Sequence, residues 1–289
     1  MLTVLAPAKL NLTLEVLTKR QDGFHEIRSI IQTINLCDSL HFQLSPNIEF
    51  KCDVPNWIPE ESLVSRAASL LLETTGCAKG VTIEISKRIP LVSGLGGDSS
   101  DAAAILRGLN RLWGLGLSLE GLLQLAAKLG SDVALFLYSG TALAGGRGES
   151  ITPLPPFPHR WVVLVVPPVP RMKGKTERLY SSLKASHYTT GEITDRLSAW
   201  LTEKRGETPY NLFNVFDSVA LDCFAELEEY QGQFLKAGAQ EVHVAGSGPT
   251  LFSLIKDKAQ AEKIHWHLQQ QGLESYLTDT LATRDRRNK

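Results

Sequence analysis

A chain of 289 residues, 43% hydrophobic and 21% charged, has the composition of an ordinary globular protein and is long enough for one large or two modest domains. A net charge of −1 offers no broad basic field, which removes nucleic acid as a main partner, and the basic run Arg284–Lys289 reads as a solvated tail. The cysteines Cys37, Cys52, Cys77 and Cys223 form no Cys-x-x-Cys pair and are expected as buried free thiols; with no signal-peptide pattern and no apolar run able to span a bilayer, a cytoplasmic protein without membrane contact is expected.

In chain order, Leu2–Leu5 and then Leu10, Leu12, Leu14 and Val16, alternating with Asn11, Thr13 and Glu15, read as half-buried strand with Asn11 on the polar face. Lys19–Gly23 reads as a turn, and 27–36 and 40–44 as further strands. Leu63, Ala67, Leu70 and Leu71 recur at helical spacing, and Val81–Ile85 returns to strand alternation. A helix capped by Ser99 or Ser100 then carries Ala102, Ile105, Leu106, Leu109 and Trp113 on one face and closes at Gly114. A second runs from Ser118 to Leu129 with Gly130 as its left-handed cap, and Ser131 caps a short third with Asp132 in its first turn.

Pro153–Pro158 can continue neither a helix nor a central strand, which sets the expected boundary between domains 1–155 and 156–289. Beyond it the pattern gives a buried strand at 161–166, helices near 175–186, 191–204 and 214–230, a strand pair at 241–245 and 250–255, a helix at 258–270 and a final short strand, an α+β sandwich pattern. His265 and His267, two apart, do not share a helix face and make no metal pair.

The chemistry concentrates in Pro90–Ala104, a glycine-rich turn leading into a helix. Glycines let backbone approach an anion, and the N–H groups and dipole of the helix start favour negative charge, so the segment suits a phosphate; an ordinary tight turn with a capping serine has the same local composition. Gly97 is followed by Asp98, which excludes a Walker A loop, and a dinucleotide fingerprint would need its third glycine at Ser99. Gly246–Thr250 lacks the spacing of a hydrolase nucleophile elbow and reads as a hairpin turn bringing backbone close to a ligand. Taken singly, Lys9 is also an edge-strand lysine, Asp132 a first-turn aspartate, Phe24 a core residue and His25 a turn residue.

Taken in order, Pro7–Leu12, Pro90–Ala104, Leu129–Val133 and Gly246–Thr250 resemble the successive motifs of the GHMP small-molecule kinases across nearly the whole chain. Ala6–Leu12, Asp22–Ile27 and Gly94–Ala103 resemble the branch of that superfamily that acts on a cytidine-diphosphate-linked polyol in the non-mevalonate isoprenoid pathway. The resemblance implies an α+β, two-domain fold: an N-terminal half like domain 2 of ribosomal protein S5 and a ferredoxin-like C-terminal α/β sandwich. It implies transfer from ATP, with Mg²⁺, to the 2-hydroxyl of 4-diphosphocytidyl-2-C-methyl-D-erythritol by a monomer or weak homodimer. Pro90, Gly94, Leu95, Gly96, Gly97, Asp98, Ser99 and Ser100 would hold ATP, with Lys9 and Asp132 as the catalytic pair. Asn11, Phe24, His25, Tyr180, Gly246, Ser247 and Gly248 would hold the acceptor, its cytosine stacked between aromatic rings and its edge read by His25. No protein ligand is assigned to Mg²⁺, which leans on substrate phosphates. Phe24 and Asp98 depart from the tyrosine and glycine of many relatives. The rival readings are a kinase of the same superfamily acting on mevalonate, homoserine or galactose, a nucleotide-binding protein without catalysis, and a nucleotide-binding oxidoreductase.

Overall fold

The structure, a computed structural model, describes residues 1–55, 57–169, 174–203, 211–224 and 226–282, so the basic run Arg284–Lys289 lies outside the described residues. Two compact units form, neither contiguous in sequence. The first comprises Met1–Ala8, Leu36–Leu91 and Gly96–Tyr138, the second Lys9–Asn35, Val92–Leu95 and Ser139–Lys289. The proline-rich stretch at 153–158 therefore falls inside the second unit.

Two long strands contribute to both units. β1 (Leu2–Lys19) is continuous, and β2 (His25–Ser45) is one strand where the sequence suggests two. The expected open polar face of β1 does not exist: Asn11, Thr13 and Glu15 are as buried as Leu10, Leu12 and Val16. Most of their polar atoms find partners instead. Thr13 Oγ1 accepts from Ile30 N at 2.9 Å and Glu15 Oε2 from Thr194 N at 2.7 Å, which offsets part of the cost of burial, while Glu15 Oε1 is buried without a hydrogen-bond partner.

In the first unit, β3 (Ile48–Cys52) lies parallel to β4 (Gly80–Ser86), which pairs antiparallel with β2 so that Leu40 faces Ile85. A cluster of α1 (Leu63–Thr75), α2 (Gly97–Trp113), α3 (Leu119–Leu129) and α4 (Val133–Tyr138) packs in the same unit. Ser62 and Ser118 cap α1 and α3 by accepting from Val64 N and Gly121 N. The cap of α2 is Gly96 at φ 76°, not Ser99 or Ser100: a left-handed glycine turns the chain directly into the helix, leaving both serines in the first turn. Gly130 is extended, at φ 170°, rather than left-handed. Ser131 and Asp132 form a turn closed by Val133 N to Gly130 O at 3.2 Å, so Asp132 precedes α4 instead of lying in its first turn.

In the second unit, β5 (Thr141–Gly145) pairs antiparallel with β2 and with β6 (Ser150–Pro153), a hairpin the sequence pattern does not announce. Then follow β7 (Trp161–Val165), α5 (Lys175–Ser182), α6 (Glu192–Glu203), β8 (Phe213–Asn214), α7 (Ala220–Cys223), α8 (Leu227–Lys236), β9 (His243–Val244), β10 (Leu251–Ile255), α9 (Lys258–Gln270) and β11 (Ser275–Asp279). A four-stranded antiparallel sheet in the order β11-β7-β10-β9 carries Val163, Val165, Leu251 and Ile255 into a core shared with Phe234, Ala261, Ile264 and Leu268. The expected helix over 214–230 is broken. Asn214 accepts from Phe216 N to start a 3-10 turn, and Asp217 accepts from Val244 N, so side chains take backbone donors in competition with helix. Likewise α5 stops at Ser182, short of the expected 186.

All four cysteines lie outside any disulfide among the described residues and are half-buried rather than fully buried. His265 bonds Ser275 Oγ at 3.0 Å, and among the described residues no group of three or more His, Cys, Asp or Glu side chains could hold a metal ion. No helix among the described residues is long and apolar enough to cross a membrane.

Candidate active site

The glycine-serine loop enters α2 in the first unit. Gly97 to Ser100 form the first turn, where helix N–H groups have no intrahelical partner; Asp98 is exposed, Ser99 half-buried, and the Ser100 hydroxyl is buried without a hydrogen-bond partner. A buried ion triad fixes this turn. Lys87 Nζ lies 2.5 Å from Asp38 Oδ2 and 2.6 Å from Asp101 Oδ2, while Asp38 Oδ1 accepts from Arg88 N and Ile89 N at 2.6 and 2.8 Å. Burial pushes the Asp101 carboxyl above the usual carboxylate range, with Lys87 opposing and the Asp38 charge adding to it. The triad thus joins β2, the approach to the loop and α2. Asp132, half-buried, belongs to the same unit.

The second unit holds Lys9, Asn11, Gly94, Leu95 and Gly246–Gly248 at two backbone turns and also contains Phe24, His25 and Tyr180, whereas Pro90 belongs to the first unit. Lys9 Nζ donates to Asn11 Oδ1 at 2.8 Å, Asn11 Nδ2 donates to Ser29 Oγ at 2.8 Å, and Ser29 Oγ donates to Thr13 O, so a polar relay inside β1 and β2 aims the lysine. Lys9 N donates to Leu95 O at 2.9 Å; the Leu95 side chain is core, and only its backbone faces this region. Gly94, at φ 88°, packs so tightly on the 245–248 turn that a Cβ there would run into the Ala245 carbonyl oxygen. Gly246 is similarly pressed, its notional Cβ 3.0 Å from Lys9 Nζ and 3.3 Å from Asn11 Oδ1. Asn214 Nδ2 braces that turn through Val244 O and Gly246 O at 2.7 and 2.8 Å.

Two features of this unit have no local sequence signal. Lys175, at the start of α5, is 8% exposed and donates from Nζ to Val92 O at 2.9 Å and to Gly248 O. Val92 itself sits at φ 57°, an uncommon conformation for a β-branched residue. Ser247 Oγ and Thr176 Oγ1 are 3.0 Å apart, so α5 is tied to the turn twice.

His25 is 8% exposed, its ring stacked on Tyr180 with centroids 5.1 Å apart and met edge-on by Tyr188 at 6.0 Å. Burial, then the Lys19 charge, lower its pKa below the ordinary histidine value; the neutral imidazole so favoured presents one donor and one acceptor, suited to a base edge. Phe24 is exposed at the hairpin tip with the Arg147 guanidinium 4.7 Å from its ring centroid, so it is not a core residue. Tyr188, like Lys87 and Asp101, escaped sequence reasoning.

The family described as GHMP kinases N terminal domain matches residues 62–140, and that described as GHMP kinases C terminal matches residues 200–272. A 4-diphosphocytidyl-2-C-methyl-D-erythritol kinase of Dehalococcoides mccartyi is 50% identical over 286 residues, covering 99% of this chain and 100% of that one. The chain belongs to the 4-diphosphocytidyl-2-C-methyl-D-erythritol kinase family. A second kinase of that name, from Geobacillus thermodenitrificans, is 39% identical over 98% of this chain and 96% of its own. The crystal structure of a 4-(cytidine 5'-diphospho)-2C-methyl-D-erythritol kinase superposes with a TM-score of 0.83 at 32% identity, covering 96% of this chain and 99% of the other. The chain is therefore a small-molecule kinase with the two-domain GHMP fold, and ATP is the phosphoryl donor its family implies.

Proposed function

We propose that this kinase transfers the γ-phosphoryl group of ATP to the 2-hydroxyl of 4-diphosphocytidyl-2-C-methyl-D-erythritol. The observation that carries the choice of acceptor is the buried His25 ring stacked on Tyr180: a neutral imidazole beside aromatic faces is chemistry for a pyrimidine, and mevalonate or homoserine would leave it unused. Identity of 50% along the whole chain supports the same acceptor.

In this reading Pro90 and Gly94–Ser100 hold the ATP phosphates with loop backbone, the α2 N–H groups and the two serine hydroxyls. Gly246–Gly248 supports the acceptor through backbone, and Asn11 does so while holding Lys9. Asp132 orients the acceptor hydroxyl and takes its proton; the hydroxyl oxygen bonds to the γ-phosphorus as the bond to the β-phosphate oxygen breaks, and ADP leaves. Lys9 offsets the charge on the transferring oxygens, since such a loose transition state asks mainly for positioning and electrostatics. Mg²⁺ suits the oxygen donors present, above all the buried, unpartnered Ser100 hydroxyl, and supplies charge neutralisation at the β- and γ-phosphates when bound. The division of labour we propose gives ATP and catalysis to 1–155 and completes the site with 156–289. The reaction is assigned to the cytoplasm, in a monomer or weak homodimer with no nucleic-acid or membrane partner.

The test is Mg²⁺-dependent ADP release with this acceptor by wild type and by folded Asp132→Asn and Lys9→Ala variants. Wild type turns over, and each variant loses roughly 10² to 10⁴ in kcat, the scale of a placed acid-base group or charge. Turnover of mevalonate or homoserine in place of this acceptor would keep the family and remove the substrate.

A further inference from the structure

Lys175 is a buried ammonium without a counter-ion among the described residues. Its hydrogen-bond partners are two backbone carbonyl oxygens, Val92 O and Gly248 O, and no carboxylate among the described residues pairs with it. Two acceptors leave one of its three N–H bonds unspent. A buried lysine is costly unless paired, and this one lies within the field of a second cation, Lys9, whose Nζ borders the same 246–248 turn. Burying the Lys175 ammonium against carbonyl oxygens alone is unfavourable in the free protein, and an anion is the ligand that would reverse the balance. The surrounding backbone is committed to this arrangement. Val92 holds a left-handed conformation to present its carbonyl, and Gly94 is pressed onto the 245–248 turn so closely that no side chain fits. The strain sits at the turns that Lys175 ties together, as it does where a ligand site is pre-organised.

We propose that Lys175, with Lys9, forms a seat for a phosphoryl group at the 92–95 and 246–248 turns, and that Lys175 is a binding residue for the phosphate-bearing substrates of this kinase. The seat deepens the proposed function and rests on it for the ligands' identity. Two sources share the chemistry: the diphosphate of the acceptor and the phosphates of ATP.

Burial, and then Lys9, push the Lys175 ammonium down to about 8. Lys9 on β1 is the charge that faces it; the 92–95 and 246–250 turns hold no titratable side chain, and on α5 Glu177 and Arg178 are exposed. A phosphoryl group arriving there favours the protonated form, so binding near pH 8 takes up a proton.

Calorimetric titration of wild type and of Lys175→Met, with the acceptor, with ADP and with inorganic pyrophosphate, each in two buffers of different ionisation enthalpy near pH 8, tests the seat. The expected result is a loss of about tenfold or more in affinity for the acceptor or for ADP in the folded variant, whichever ligand loses being the source. Proton uptake by wild type accompanies it and is missing from Lys175→Met. Unchanged affinities, within about twofold, with no wild-type proton uptake would overturn the seat and leave Lys175 a structural tie between turns. If Lys175→Met does not fold, the wild-type proton uptake decides by itself. Should wild type ignore the acceptor, the proposed substrate fails, while ADP and pyrophosphate still report on the seat.

Discussion

His243 shows how much one side chain can hold when an element is short. β9 has only two residues, and His243 Nδ1 lies 2.7 Å from Asp217 Oδ2 while Asp217 Oδ1 accepts from Val244 N at 2.8 Å, so the carboxylate fastens the strand that leads into the 246–248 turn. Burial works to lower the His243 pKa, but the hydrogen bond and charge of Asp217, then Glu241, outweigh it and the net shift is upward. A folded pKa above the unfolded one means that this stabilisation is fully present below about pH 6.5 and is lost as pH rises through the folded value. The stability advantage of wild type over His243→Gln, read from urea midpoints, should therefore be largest on the acid side and shrink toward alkaline pH; a constant difference would make the bond neutral in character. Local motifs make Lys9, Asn11, His25 and the glycine loop candidate site residues in the sequence because their neighbours in chain carry the pattern. Lys175 was not legible: its partners Val92 and Gly248 are 83 and 73 residues away, and nothing adjacent to a lysine announces that its ammonium will be buried.

The clearest test at the level of elements is α2, the helix whose start faces the phosphates in the proposed function. Ala102, Ala103, Ala104, Ile105, Leu106 and Leu109 are fully buried, and Gly108 admits the Phe42 ring so closely that a Cβ would meet its atoms at 2.5 to 2.9 Å. Replacing a helical glycine by alanine ordinarily stabilises by about 1 kcal/mol. At Gly108 the ring stands in the way, overpacking costs about 1–3 kcal/mol, and the expected net effect of Gly108→Ala is destabilisation. Gly121 in α3 is the control, since a Cβ there would meet only ordinary contacts at 3.8 to 3.9 Å. Gly121→Ala should raise the urea midpoint while Gly108→Ala lowers it; two increases would mean that Phe42 moves aside at little cost. The long periodic elements α1, α2, α3 and α9 were legible because an apolar stripe repeated over several turns outweighs local noise. Shorter ones, such as the β5–β6 hairpin, were not. β2 is long but reads as two strands, at 27–36 and 40–44; in the structure it runs through Asp38, whose buried carboxylate is satisfied by Lys87 and by Arg88 N and Ile89 N.

At the scale of the molecule the chain changes unit after Ala8, Asn35, Leu91, Leu95 and Tyr138, so neither compact unit is a single stretch of sequence. The proline-rich segment marks where hydrogen-bonded structure must pause, and the family matches at 62–140 and 200–272 lie on either side of it. A pause is not a folding boundary, however. Within the second unit, Leu12 and Ile30 share a core with Phe157, Leu197 and Leu201, and Leu14, Val16 and Ile27 share one with Val163, Val215 and Leu251. Thr13 and Leu14 pair with Phe213 and Asn214, and Glu15 receives Thr194 N. A fragment ending at 155 strips those partners from five buried apolar side chains, each worth roughly 1.5–3 kcal/mol, or up to about 7–15 kcal/mol together. That equals the whole stability of a typical domain, about 5–15 kcal/mol. It also leaves the buried Glu15 carboxylate without its donor. The fragment 1–155 is therefore expected to show no cooperative urea transition by circular dichroism, whereas the full chain does. A sharp, reversible transition of the isolated fragment would instead mean that 1–155 carries its own sufficient core, and that β1 keeps its place without the strand and helices that follow residue 156.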